Sequence, residues 1–324
     1  MAMRLRTLGR TGLEISEVSF GCGPTAGLMI HGSPAQRLET VGRALELGIN
    51  YFDTAPGYGE SRSEIHLGLA LRQCGRPAWV ASKIALGTAD LADIGGAVNR
   101  SVERSLKHLG VRRLDVLQLH NRIASDRLNP HANLGNAALL SVDDVLGSNG
   151  VLRAFEALRR KGLVLGFGLS AYGGQMDALA RVIDSGEFDA LSLHYSLLNR
   201  SAWQAGSAST GLRDYAGIGA RAAQAGMGVV ALRVLEGGLL TQAAPARIAA
   251  EDRRLDPEHD ALQVAAHALQ PHLKACGLTP ADAAIRFALS TPQLSSVLIG
   301  LSDAAQVEQA AQASAAGPLP DKLL

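Results

Sequence analysis

The stretch GINYFDTAPGYGESRSEIHLGLAL, residues 48–71, holds one complete strand, turn and helix. Residues 50–53 form a short apolar run rich in aromatic residues, Thr54-Ala55-Pro56-Gly57 has turn chemistry, and helical periodicity follows at 61–73. Short apolar runs alternate with amphipathic stretches on both sides of it, the pattern of βα units around a parallel sheet. After a hairpin from Leu5 to Ile15, turning at Gly9 to Gly12, strands are expected near 18–21, 50–53, 78–83, 115–120, 164–169, 189–194, 228–232 and 296–300. Helical patterns occupy about 35–48, 61–73, 91–109, 151–161, 174–185, 212–225, 280–289 and 303–315. Val98, Val102, Leu106 and Leu109 keep a helical period, and Gly48, Gly110 and Gly162 stand where helix C-caps belong. Eight such pairs predict an α/β fold, a closed (β/α)8 TIM barrel with an N-terminal β-hairpin and extra helices, spanning 1–324 as a single domain.

Composition narrows the function. The 324 residues are 47% apolar and 19% charged, enough for a large core, and 31 basic against 30 acidic residues leave a net charge of +1. That balance gives no broad electrostatic basis for binding nucleic acid or an anionic membrane. Cys22, Cys74 and Cys276 are odd in number and widely spaced, so neither a disulfide framework nor a zinc cluster is expected. The opening MAMRLRTLGRTGLEISE has no apolar leader core, and a cytoplasmic protein is expected. No strand runs into GxGxxG, so the doubly wound dinucleotide fold is not indicated. The connections 121–149 and 233–257 are long, a further helical stretch follows at 258–276, and barrels place function at such strand-end loops.

Three consecutive strands end in ionisable residues: Asp53 with Tyr58 just beyond, Lys83 within WVASKIAL, and His120 at the end of LDVLQLH. In a barrel these C-terminal ends open on one face, so the four side chains converge. Taken singly, an Asp there is more often a turn residue, and a Tyr or His more often packs. Lys83 is harder to explain as structure, because the chain has only five lysines and a cation in an apolar run needs a buried partner, for which Asp53 is the candidate. A lysine ammonium beside a tyrosine should lower the phenol from its usual pKa of about 10, while the carboxylate holds the lysine charged. Tyr58 would then be the acid when a carbonyl is reduced and the base when an alcohol is oxidised, with His120 orienting the substrate oxygen. The set has no redox centre, so the hydride must come from a cofactor.

The string at 48–71, followed by ASK at 81–83 and LQLHN at 117–121, resembles the aldo-keto reductase superfamily, and the resemblance runs from LGRTGLEIS in the hairpin to SSVLIGLSDAAQVEQ near the end. It implies NAD or NADP bound across the barrel mouth, a small-molecule carbonyl or sugar substrate, and Asp53, Tyr58, Lys83 and His120 as the catalytic set. Within the superfamily, HYSLLN and SSVLIGLSDAAQVEQ look most like the aldose or galactose 1-dehydrogenases, which oxidise a sugar at its anomeric carbon to the lactone. The cofactor positions implied are Gly23, Ser170, Ala171, Ser192, Leu232, Arg233, Leu235, Gly300, Ser302, Gln306 and Ala310. Several depart from the family pattern: Ala171 replaces an asparagine, Ser192 a glutamine, Leu232 a stacking aromatic and Ser302 a basic residue that reads the 2′-phosphate of NADP. The last change points to NAD or to both nucleotides, unless Arg233 or another arginine supplies the charge. Ser302 also has a purely structural reading as the cap of the last helix.

Two other classes stand against an oxidoreductase. A nucleotide-binding, redox-sensing subunit without significant turnover is one, since some members of the superfamily report redox state to a partner. A barrel metallohydrolase is the other, but the first strand, VSFGCG, has no HxH and only His120 and His194 stand at strand ends, so no metal is expected. His194 is read as packed or pocket-lining, and nothing around Cys22 points to an activated thiolate. Asn121, Arg122, His131 and Asn133 make the 121–149 loop polar enough to meet a sugar.

Overall fold

In a computed structural model of the chain, which describes residues 3–126, 137–241 and 258–320, strands β1 (Leu5–Thr7) and β2 (Glu14–Ser16) form the N-terminal hairpin. A 3-10 turn at Gly9–Thr11 makes its tip. Eight parallel strands follow: β3 (Val18–Gly21), β4 (Tyr51–Asp53), β5 (Trp79–Ile84), β6 (Leu114–Leu119), β9 (Val164–Ala171), β10 (Ala190–His194), β11 (Gly228–Leu232) and β12 (Leu294–Gly300). They close in that order, with β12 pairing β3 through Val297↔Val18 to Gly300↔Gly21, as the (β/α)8 reading requires.

Helices α1 (Leu28–His31), α2 (Pro34–Glu46), α3 (Arg62–Cys74), α4 (Ile94–Leu109), α5 (Val142–Leu146), α6 (Val151–Arg160), α7 (Met176–Asp184), α8 (Ile218–Gln224), α9 (His259–Ala275), α10 (Pro280–Leu289) and α11 (Ala304–Ala316) surround them. Their starts are locally encoded. Ser33 and Gln36 form a reciprocal capping box for α2, and the Thr279 side chain caps α10. The helix expected at 212–225 begins only at Ile218, because Gly217 holds a left-handed φ of 69° at its N-cap. Inside the connection 121–149 lie two short parallel strands, β7 (Ile123–Ala124) and β8 (Leu140–Ser141), and α5, none of which the sequence signalled. His131, Asn133 and residues 242–257 of the second long connection lie outside the described residues.

The barrel interior is layered. Leu8, Leu13 and Ile15 of the hairpin pack beneath Tyr51, Ala81, Val116, Ala190 and Val230 and close the N-terminal end. Close approach there requires glycine: a Cβ on Gly9 would lie 2.0 Å from the Gly228 nitrogen. Strand alternation then makes the next inward layer Asp53, Lys83, Gln118 and Ser192, so the charges rest on a sealed apolar floor. Glu17 anchors the outside of the hairpin, accepting from Arg4, Arg6 and Ser314.

Candidate active site

Backbone bonds across strand ends fix the mouth. Cys22 N–H donates to Asp53 O at 2.9 Å and Thr54 N–H to Ala81 O at 2.9 Å, locking β3, β4 and β5 together where the polar residues emerge. After Asp53 the chain turns tightly, with Tyr58 N–H donating to Ala55 O and Ser61 N–H to Pro56 O. Ser63 clamps this turn, bonding the Thr54 hydroxyl at 2.7 Å and donating to Cys22 O at 2.9 Å. The turn brings Tyr58 back over the barrel, half-buried at the mouth.

The four residues that the sequence singled out meet there. Lys83 Nζ bonds the Asp53 carboxylate at Oδ1 and donates to Thr54 O at 2.9 Å, both side chains being almost wholly buried. The ammonium stands 5.0 Å from the centroid of the Tyr58 ring, and the ring of His120 meets Tyr58 edge-on with centroids 6.1 Å apart. His120 follows β6 directly and is held by its N–H to Ile84 O at 2.8 Å.

Burial decides the protonation states. It drives the His120 imidazole down to about 3, and the nearby Lys83 charge adds to the shift, so this ring is neutral at physiological pH. For Lys83, burial works against the charged form, but the Asp53 carboxylate and the Tyr58 hydroxyl more than offset it and hold the ammonium above its ordinary range. The expectation of a lowered Tyr58 phenol is corrected. Burial pushes it up, and the opposing charge of Lys83 does not reverse the direction. Tyr58 is therefore a protonated phenol at neutral pH, a proton donor by default and a base only as pH rises. The Cys22 thiol is also raised, by burial and by Asp53, and is inert.

The residues implied for a dinucleotide are more scattered in character. Ser170 and Ser192 stand opposite each other on β9 and β10 and face inward by alternation, offering hydroxyls that both donate and accept, as an amide requires. Leu232 is in register with His194 on the same rim. Gly23 leaves the flank of the Tyr58 ring open, since a Cβ there would lie 3.7 Å from it. These features fit a flat amide-bearing ring beside the phenol.

Arg233 and Glu236 take positive φ of 54° and 45° in the turn that carries Leu235. Arg233 donates at 2.9 Å to the hydroxyl of Tyr172, directly after the end of β9. At the end of β12, Gly300 is exposed and Ser302 donates its hydroxyl to Ala26 O at 3.1 Å and its N–H to Gln306 Oε1 at 2.9 Å. Two expectations change here. Asp303, rather than Ser302, caps α11 by accepting from Gln306 N–H, and Ala310 lies in the hydrophobic core with 2% exposure, offering a ligand no surface.

Sequence reasoning undervalued a second buried network. His194 bonds the Tyr215 hydroxyl at 3.1 Å through Nδ1 and Glu236 Oε1 at 2.8 Å through Nε2, and Ser196 donates to the same carboxylate. It ties the end of β10 to the turn after β11 and gives His194 a structural role. Gln118 also passed unremarked, although Val116, Gln118 and His120 alternate onto one face and the amide interrupts an apolar run. Among the described residues, no group of three or more His, Cys, Asp or Glu is placed to hold a metal ion, and no helix is long and apolar enough to cross a membrane.

A family model described as the aldo/keto reductase family matches residues 19–323. The chain is 28% identical to L-galactose dehydrogenase of Arabidopsis thaliana, over 95% of this chain and 86% of that protein. It is 26% identical to pyridoxal 4-dehydrogenase of Microbacterium luteolum, over 95% and 92% respectively. Among solved structures, the holo form of an aldo-keto reductase, AKR11C1 of Bacillus halodurans, superposes with a TM-score of 0.70 at 21% identity, covering 99% of this chain and 94% of that one, and shares the fold.

Proposed function

The chain belongs to the aldo/keto reductase family and is an NAD(P)-dependent oxidoreductase, and from that premise we propose that it acts on a sugar, oxidising an aldose at its anomeric carbon, with Tyr58 as the group that moves the proton. The observation that carries the proton role is the buried Asp53–Lys83 pair directed at the Tyr58 ring beside a neutral His120. The similarity to L-galactose dehydrogenase over nearly the whole chain supports the sugar. The similarity to pyridoxal 4-dehydrogenase supports a second reading, an aromatic aldehyde, at the same site.

When bound, the dinucleotide supplies the hydride acceptor or donor. Ser170, Ser192, Leu232, Leu235 and Gly23 would hold its amide-bearing end, and Arg233, Gly300, Ser302 and Gln306 the remainder. Asp53 keeps Lys83 charged, and Lys83 stabilises the phenolate that Tyr58 becomes when it gives up its proton in reduction. His120, neutral, orients the substrate oxygen without adding a charge that would compete with Lys83. In oxidation the same groups run in reverse, and Tyr58 must first lose its proton, so that direction is favoured as pH rises. At the α11 end, the Asp303 carboxylate and the absence of a basic side chain at Ser302 disfavour a 2′-phosphate, and NAD is the expected partner.

The variant Tyr58→Phe tests the proton role. Turnover should fall by about 100- to 10,000-fold, the range of general acid–base catalysis, while affinity for NAD, followed by quenching of Trp fluorescence, stays at the wild-type value. Activity near wild type would remove Tyr58 from the mechanism.

A further inference from the structure

Gln118 grips the same carboxylate as Lys83, from the other side. Its Nε2 donates to Asp53 Oδ2 at 2.6 Å while Lys83 bonds Oδ1, and Lys83 and Gln118 are paired across β5 and β6. The carboxylate can only accept, so the amide must present its nitrogen, and its Oε1 is left buried without a hydrogen-bond partner. An unpartnered buried acceptor is unfavourable, and a leucine or methionine would fill the space without one. A second concession to the same side chain stands opposite. Gly168 lies within β9, where glycine weakens a strand, and a Cβ there would lie 2.7 Å from Gln118 Cγ and 3.3 Å from Val116 Cγ1. Two locally unfavourable features thus coincide at one amide that is 1% exposed.

We propose that Gln118 is a positioning residue for the proton transfer: by holding the second oxygen of Asp53 it fixes the carboxylate, and through it the place of the Lys83 ammonium against Tyr58. The inference rests on the reading of Tyr58 as the proton-transfer group. Without that second bond the carboxylate is free to rotate about its Cβ–Cγ bond, and Lys83 keeps only its bond to Thr54 O to hold the ammonium against the phenol. The charged or titratable groups facing Asp53 are Lys83 from β5, Tyr58 from the turn after β4, Cys22 after β3 and Tyr51 on β4, with His120 beyond Lys83 at the end of β6.

Two substitutions in the full-length protein, assayed with NAD and L-galactose or pyridoxal, whichever the wild type turns over faster, test the proposal. Gln118→Leu should lower kcat by about 10- to 100-fold, the rate equivalent of losing one hydrogen bond to a charged group, with KM and NAD affinity unchanged. Gln118→Glu places two carboxyls together, so the new one stays protonated at the acid end and donates in place of Nε2. It should approach wild-type kcat there and lose it as pH rises and the second carboxyl ionises. A Leu variant with wild-type kcat, a loss that appears in KM rather than kcat, or a Glu variant that follows the wild-type pH profile would overturn the proposal. If the Leu variant does not fold, the pH profile of the Glu variant decides alone. Tyr58→Phe is measured alongside: activity in it removes the underlying reading, whereas an inactive Tyr58→Phe with a fully active Gln118→Leu removes Gln118 only.

Discussion

Around β4, β5 and β6 the polar side chains at the barrel mouth are buried and bonded to one another, Lys83 to Asp53 and Asp53 to Gln118, whereas the positions implied for a dinucleotide on β9 to β11 are small or apolar, Ser170, Ala171, Ser192 and Leu232, and the bonded polar groups on that side, His194, Ser196 and Glu236, tie β10 to the turn after β11. Under the proposed function, the contrast follows from what each arc would do. Moving a proton needs fixed charges shielded from water, and in such a network each member satisfies another, so losing one leaves a buried charge exposed to the full desolvation penalty. Gripping a dinucleotide spreads over many weak contacts, so an aromatic can become Leu232 and an asparagine Ala171 without removing the site. Departures from the family pattern accordingly gather on the second arc.

That comparison breaks first at Lys83. Lys83→Met should abolish turnover and, by stranding the Asp53 carboxylate in the barrel, lower stability by about 3–5 kcal/mol, measured as a shift in the urea midpoint. A loss of about 1 kcal/mol or less, the size for an exposed pair, would show that the first arc is not the buried network described. A smaller effect is expected on the second arc. Ser302→Arg should raise NADP affinity by about tenfold through one charge-assisted contact and leave NAD affinity unchanged. An unaltered NADP to NAD ratio would locate the discriminating charge elsewhere.

The smallest effect concerns His120. Its folded-state pKa lies near 3 against an ordinary 6.5. Between those values the unfolded chain takes up a proton that the native protein does not, so this residue removes stability as pH falls through the window and adds none above it. NMR should find the His120 ring untitrated as pH crosses 6.5. A normal titration there would give the mouth a second cation and undo its assignment as a neutral orienting group.

Much of this was legible in the sequence because it is periodic or chemically costly. Each expected barrel strand lies within two residues of the observed one, since alternating apolar runs and glycine caps mark both ends. Lys83 stood out as a cation in an apolar run, and its partner Asp53 was inferred from the same cost. What stayed hidden depends on contacts across the fold. Gln118 looks like any polar interruption until β5 places Lys83 beside it, and Gly168 gains meaning only when the space for that amide is seen. Ser302 and Asp303 are equally good caps by type, and only the backbone, which directs Ser302 toward Ala26, selects between them. The Tyr58 phenol was expected to be lowered because a neighbouring charge is visible in sequence and the depth of burial is not.

The central claim, that the first arc performs chemistry on a sugar or aldehyde, is tested most directly by mixing the wild-type protein with NAD or NADP and L-galactose, other aldoses or pyridoxal and following the absorbance of the reduced nicotinamide. Multiple turnovers with at least one of these substrates, faster with NAD than with NADP, are expected. Tight nucleotide binding with no turnover of any of them would contradict the account and leave a nucleotide-sensing protein in its place.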